Sequence, residues 1–277
     1  MTAPVRTDAP VLTDEQCAQY REQGFLGPIT LMSVEEMAAL RPALEEVLAT
    51  PGRAPAPPVE QVQGRLANLV AGRGGASPVP FIESRHLDSA LVQRLCSHPV
   101  LLAAARQLYG EDLLLWRSTF IAKADGGPEF QWHQDWGGVY APGEEYGLEP
   151  PLHFSFWIAI SDVTEESGCV RFIPGTRAVL PAQPVGPGKR ATLLIPREQV
   201  DEERAVSMPL RPGQCVVFTD RALHASGLNT SGADRLGLAV RLTLPAVKVR
   251  PHFPGHACVV VSGADRAGLN TLAEPAK

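Results

Sequence analysis

Apolar positions recur at helical spacing near the start of the chain: Met37, Leu40, Leu44, Val47 and Leu48 fall on one stripe when wound at 3.6 residues per turn. Two capping boxes precede such segments, Thr13-Asp14-Glu15-Gln16 and Ser33-Val34-Glu35-Glu36, so residues 13–50 are expected to be helical. Gly24 is placed to end the first helix, and Thr50-Pro51-Gly52 the second. Pro42 lies inside the second pattern, where it lacks a backbone donor, and a kink or break is expected there. Residues 51–80 are rich in Pro, Gly and Ala around a short apolar island at 66–70 and read as a long loop, either a lid or a disordered insert. A further helix is expected over 99–109, with Ser97 and His98 before it and Gly110 after it.

From residue 112 the pattern changes to short runs rich in β-branched and aromatic residues, at 113–122, 130–134, 152–160, 169–173, 215–219 and 236–244. Gly, Pro, Asp and Asn turns separate them. The alternation of strand and helix that marks a Rossmann or TIM fold is missing. The expected fold is therefore mainly β with N-terminal helices: a double-stranded β-helix core (jelly-roll, cupin-like) over 111–262 behind a helical part over 1–110, together one domain spanning 1–277.

Charge and cysteine usage narrow the function. A net charge of -5 argues against nucleic-acid or membrane-surface partners, which want clustered basic charge, and leaves a small molecule or a protein. Arginine greatly outnumbers lysine among the 25 basic residues, which favours bidentate grips on carboxylates wherever an Arg faces a pocket. Five scattered cysteines form no Cys-x-x-Cys pair, so neither a disulfide framework nor a zinc knuckle is indicated. With Asp8, Asp14 and Glu15 near the start and no apolar run, a secretory signal is not expected; a cytoplasmic location is.

The densest chemistry lies in Phe130-Gln131-Trp132-His133-Gln134-Asp135-Trp136. On a strand, residues i and i+2 share a face, so His133 and Asp135 can grip one side of a metal ion. His224 is the best candidate for a third ligand, and two histidines with one carboxylate make the facial triad of non-haem Fe(II) oxygenases. His-x-Asp alone is a weak signal. The same three residues could hold zinc with an open water site for hydrolysis, or survive in a binding protein without catalysis. Eleven residues after His224, Arg235 opens a strand that can return beside the metal and hold a carboxylate in two parallel hydrogen bonds.

At these positions the chain resembles the phytanoyl-CoA dioxygenase family of Fe(II)/2-oxoglutarate oxygenases, from the N-terminal helices to about Pro251. The matching residues are Trp132 to Asp135, the turn Gly168-Cys169-Val170-Arg171-Phe172-Ile173-Pro174-Gly175-Thr176, and His224 through Ser226 and Asn229 to Arg235. The resemblance implies His133, Asp135 and His224 as iron ligands, with 2-oxoglutarate and O2 as cosubstrates. It also implies Arg235 on the distal carboxylate of 2-oxoglutarate, Trp157 beside it, Ser226 on a carboxylate, and Arg241 nearer the metal. Within the family the chain looks most like enzymes acting on carrier-bound amino acids, including halogenases of natural-product pathways. Those halogenases have Ala or Gly where this chain has Asp135. Its carboxylate therefore implies hydroxylation of a small molecule, free or tethered to a carrier protein, with desaturation, cyclisation or epoxidation as alternative outcomes.

Other residues near the motif carry two readings each. Gln134, between the ligands, should face away from the metal. Lys123 and Arg117 share a strand face and either reach the pocket mouth, to meet an anionic substrate, or are solvated strand charges. Trp136 and Tyr140 wall the substrate cavity or pack in the core. His86, His98, His153, His252 and His256 lack an evident carboxylate partner in the sequence.

Overall fold

A computed structural model describes residues 10–52, 54, 81–135, 147–185, 192–251, 253–274 and 276. The loop over 55–80, Trp136, Tyr140 and His252 lie outside these described residues.

Both predicted capping boxes form. Thr13 and Gln16 cap α1 (Asp14–Gln23), Ser33 and Glu36 cap α2 (Val34–Ala49), and Gly24, at φ 87°, ends α1 with its N–H donated to the Tyr20 carbonyl. The break expected at Pro42 does not occur; α2 runs through it to Ala49. Met37 and Leu44, one on each side of the proline, are fully buried, and their packing holds both halves on the core despite the missing hydrogen bond. The helical reading of 13–50 also missed a strand between the two helices, β1 (Phe25–Thr30). Pro28 is tolerated there because β1 is an edge strand and its register shifts between Leu26 and Ile29. The short α3 (Ala90–Cys96) leads into α4 (Pro99–Tyr109), whose N-cap is His98 and C-cap Gly110, as the pattern required.

Among the described residues the strands form two larger antiparallel sheets and two two-stranded ones, β5 (Leu148–Glu149) with β14 (Lys248–Val249) and β8 (Gln183–Val185) with β9 (Thr192–Leu194). The long one runs β1, β11 (Gln214–Thr219), β6 (Phe154–Ala159), β13 (Arg235–Thr243), β3 (Leu113–Lys123), β15 (Val259–Ser262), with β2 (Phe81–Glu83) also on β3. The short one runs β10 (Val206–Met208), β7 (Val170–Ile173), β12 (Leu223–Ser226), β4 (Phe130–His133). This is the expected cupin-like jelly roll.

Strand alternation decides which residues meet. On β6 and β13 the even-numbered positions, Phe156, Ile158, Leu238 and Val240, pack beneath the helices with Met37, Leu44 and Leu101. Odd positions such as Trp157, Ala159 and Ala239 face the short sheet, where Phe172 stacks on Phe25 at a centroid distance of 4.5 Å. The site residues lie between the sheets, toward the end where β4 and β12 pair.

Candidate metal centre

His133 ends β4, and His224 of β12 is its direct cross-strand partner. The strand stops one residue earlier than the pattern predicted, so Asp135 sits just past it, yet one ligand atom from each of His133, Asp135 and His224 lies within 4.8 Å of the other two. Each histidine is oriented by its own backbone: Nδ1 of His133 donates to the Gln131 carbonyl at 2.7 Å, and Nδ1 of His224 to the Ala222 carbonyl at 2.9 Å. With the proton fixed on Nδ1, both Nε2 lone pairs are left for a metal.

The electrostatics favour the protonation states a metal needs. Burial, aided by His133, pushes His224 down to about 3, so its ring stays neutral at pH 7. Burial acts to raise the Asp135 carboxyl, but Arg241, His153 and His224 outweigh it and hold the group ionised well below the usual carboxylate range. Arg241 Nη2 lies 3.5 Å from Asp135 Oδ2 and Nη1 lies 3.2 Å from Thr119 Oγ1. The arginine thus points inward.

His153 corrects the sequence reading, which gave it no carboxylate: its Nε2 is 3.9 Å from Asp135 Oδ2, and its ring meets Trp116 edge-on. The missed signal was parity, since His153 precedes Ser155 and Trp157 by two and four residues on the inward face of β6. Among the other histidines, His86 pairs with Ser118 Oγ at 2.8 Å, and His256 Nε2 donates to the Trp116 carbonyl.

A second cluster lies farther along the same face. Arg235 is buried, its guanidinium carbon 5.1 Å above the Trp157 ring, with Nη1 donating to the Gly168 carbonyl. Its Nε is buried with no hydrogen-bond partner. Lys123, directly opposite Arg235 in the β3–β13 register, donates to Ser226 Oγ at 2.7 Å and to the Gly227 carbonyl. Burial, together with Arg235, pulls its amine down to about 6. Among the described residues no salt bridge reaches Lys123 or Arg235.

Two glycines make this arrangement possible. A Cβ on Gly237 would stand 2.7 Å from Trp157 Cε2 and closer still to Cζ2 and Cη2, so only glycine lets the indole lie flat across β13. Gly168, at φ +70°, brings its backbone against Gly227, where any side chain would strike that carbonyl.

The remaining candidates separate cleanly. Gln134 faces away from the ligands, donating to the Ala178 and Arg221 carbonyls and accepting from Leu180 N–H. Lys123 and Arg117 are not solvated strand charges: both are buried, and Arg117 pairs with Glu83, a residue the pattern did not single out.

Comparison with known proteins places the chain in a family. The model for phytanoyl-CoA dioxygenase (PhyH) matches residues 20–237. An L-proline trans-4-hydroxylase of Streptomyces griseoviridis is 27% identical over 202 residues, covering 65% of this chain and 74% of that protein. An ectoine dioxygenase of Bordetella bronchiseptica is 25% identical over 237 residues, covering 80% of this chain and 72% of that protein. The structure of CytC3 with Fe(II) and alpha-ketoglutarate superimposes with a TM-score of 0.72 at 25% identity, over 97% of this chain and 96% of that one. No helix among the described residues is long and apolar enough to cross a membrane. The chain belongs to the phytanoyl-CoA dioxygenase (PhyH) family, and it is a non-haem iron dioxygenase that uses Fe(II), 2-oxoglutarate and O2.

Proposed function

We propose that His133, Asp135 and His224 hold Fe(II), and that the enzyme hydroxylates an unactivated C–H bond of a small metabolite in natural-product biosynthesis, such as an amino acid, free or carried on a partner protein. The observation that carries this reading is Asp135: a buried, ionised carboxylate stands within 4.8 Å of both histidine ligand atoms. Two neutral imidazoles and one carboxylate suit Fe(II). With Asp135 present as a third protein donor, a metal held here would have no place for a halide in that carboxylate's stead.

The cosubstrate has a fitting cradle. Lys123 and Arg235 are two buried basic groups without a carboxylate partner among the described residues, and Arg235 Nε has no acceptor. Leaving such groups unmatched costs several kcal/mol, which the distal carboxylate of 2-oxoglutarate relieves. Arg235 grips that carboxylate, Lys123 and Ser226 orient it, and Trp157 closes the floor against water. Bound in the triad, Fe(II) supplies the oxidation of 2-oxoglutarate by O2 to succinate and carbon dioxide, and with it the hydroxylation of the substrate. Arg241 and His153 keep Asp135 charged and aimed at the metal.

A zinc hydrolase, the other use of such a triad, leaves Arg235 and Lys123 without a purpose. We further propose that 1–277 is one domain, supported by the continuous core joining helices and long sheet.

The test is O2-dependent succinate formation from Fe(II) and 2-oxoglutarate, with product mass read alongside. A gain of one oxygen supports hydroxylation, and loss of two hydrogens marks desaturation or cyclisation. Purified protein that neither holds iron nor consumes 2-oxoglutarate sinks the assignment.

A further inference from the structure

The strand ladder that aligns the two histidines ends before it reaches the carboxylate. β4 stops at His133, which pairs directly with His224, and Asp135 lies two residues beyond. Backbone pairing therefore sets the two histidines against each other but does not set the place of Asp135. Its own side-chain contacts are long: Ser155 Oγ and Arg241 Nη2 both lie 3.5 Å from Oδ2, and His153 Nε2 lies 3.9 Å from it. A charge-assisted hydrogen bond measures about 2.5–2.9 Å, so none of the three is close enough to fix the carboxylate.

Short bonds are found instead on the residue between the ligands. Gln134 Nε2 donates to the Arg221 carbonyl at 2.6 Å and to the Ala178 carbonyl at 2.9 Å, and its Oε1 accepts from the Leu180 N–H at 2.9 Å. One amide thus joins three stretches of chain: the end of β4, the loop after β7 and the turn that leads into β12. Both anchors are themselves held. Leu180 packs against the cluster of Trp132, Ile173 and Leu223 on the outer face of the short sheet, and Arg221 stands next to Ala222, whose carbonyl orients the His224 ring. The partners also select the residue. Two carbonyls ask for two N–H donors, and one N–H asks for an acceptor on the same group. A carboxamide of glutamine length meets that set; an ionised carboxylate has no proton to give, and asparagine is a methylene short.

We infer that Gln134 is a positioning residue for the metal: by pinning the chain on the outer side of the short sheet, it sets Asp135 inward within reach of His133 and His224. Consecutive side chains of an extended chain project to opposite sides, so an outward anchor at 134 fixes the inward direction at 135. The inference rests on the metal site proposed above. Water can replace the bonds of this half-buried amide, so their loss falls on ligand geometry more than on stability.

The test is Co(II) titration of the purified protein, with visible d–d absorption reporting both affinity and coordination. Gln134→Met removes the three bonds with little change in size and should weaken Co(II) about 10- to 100-fold, the usual cost of losing a group that orients a ligand. Its bound spectrum should move toward that of Asp135→Ala. In the Asp135→Ala background the same substitution should change affinity by less than about twofold, because the carboxylate through which it acts is gone. Gln134→Asn should show a smaller loss with the same dependence on Asp135, and it carries the cycle if the methionine variant does not fold. Co(II) affinity of folded Gln134→Met within about twofold of the native protein, or an equal loss with and without Asp135, overturns the inference. A general folding defect acts equally in both backgrounds and cannot imitate the expected result. Native protein that binds no Co(II) overturns the metal assignment and this inference together, whereas variants that fail to respond when the native protein binds Co(II) overturn this inference alone.

Discussion

Replacing Gly237 with alanine tests whether the flat Trp157 floor governs the cosubstrate. The added Cβ lies 2.7 Å from Trp157 Cε2 and closer still to Cζ2 and Cη2, against ordinary contact from 3.4 Å, so the indole has to retreat by more than about 1 Å. Overpacking of this kind costs about 1–3 kcal/mol, or roughly 3–10 °C in Tm for a chain of this size. Displacing the ring also removes it from beneath the Arg235 guanidinium, now 5.1 Å above it. A desolvated cation–π contact is worth about 2 kcal/mol, so the Kd for 2-oxoglutarate should rise some 30-fold while Fe(II) affinity changes little. Calorimetry gives both numbers, and a double-mutant cycle with Trp157→Leu isolates the clash. In the leucine background the alanine should cost far less. An equal cost in both backgrounds would refute the reasoning, because the indole is the atom group said to be displaced.

Arg235→Ala should weaken 2-oxoglutarate by about 2–5 kcal/mol, tens- to thousands-fold in Kd; an unchanged cosubstrate requirement rejects its assigned role. Asp135→Ala should abolish hydroxylation and lower Fe(II) affinity by at least about 100-fold, beyond what loss of a supporting hydrogen bond costs, as read by metal titration. The Lys123 amine gives a pH signature in the ligand-free protein: its folded pKa of about 6 lies below its unfolded value of about 10.4, so between them the unfolded chain holds a proton the folded one lacks. Stability should therefore rise with pH across that window, by about 1.4 kcal/mol per unit from this group, and be lost as pH falls toward 6. Urea titrations at pH 7 and 9 should show this slope in the native protein and its absence in Lys123→Met.

The meeting of His133 with Asp135 was legible because a two-residue spacing near a strand end keeps its meaning without knowledge of the fold, whereas His224 joins them only through the β12–β4 pairing. Arg235 was legible from its spacing to His224 only as a residue that could return beside the site, and the family resemblance gave it a definite partner. Other features depend on partners distant in the chain. β1 stayed hidden because its strand character comes from Val217 and Cys215, almost 190 residues away, while the neighbouring capping boxes point to helix. The choice between pocket and solvent stayed open for Lys123 and Arg117 because the sheet that covers them is not visible in local pattern. Glu83 gains its role from Arg117 across β2 and β3, and His153 gains its role from Asp135, a contact between segments whose register local periodicity does not set. The path of α2 through Pro42 is the opposite case: a strong local signal was overridden by burial on either side.

Both histidines of the candidate metal site take their tautomer from a main-chain carbonyl two residues earlier, Gln131 for His133 and Ala222 for His224. Every amino acid supplies that carbonyl. Substitution at 131 or 222 can therefore reshape the surroundings of the site without disturbing the aim of either ring, provided the strands keep their register. That gives the scaffold evolutionary latitude: neighbours of the candidate site can be exchanged for a new substrate while the aim of both rings is inherited unchanged.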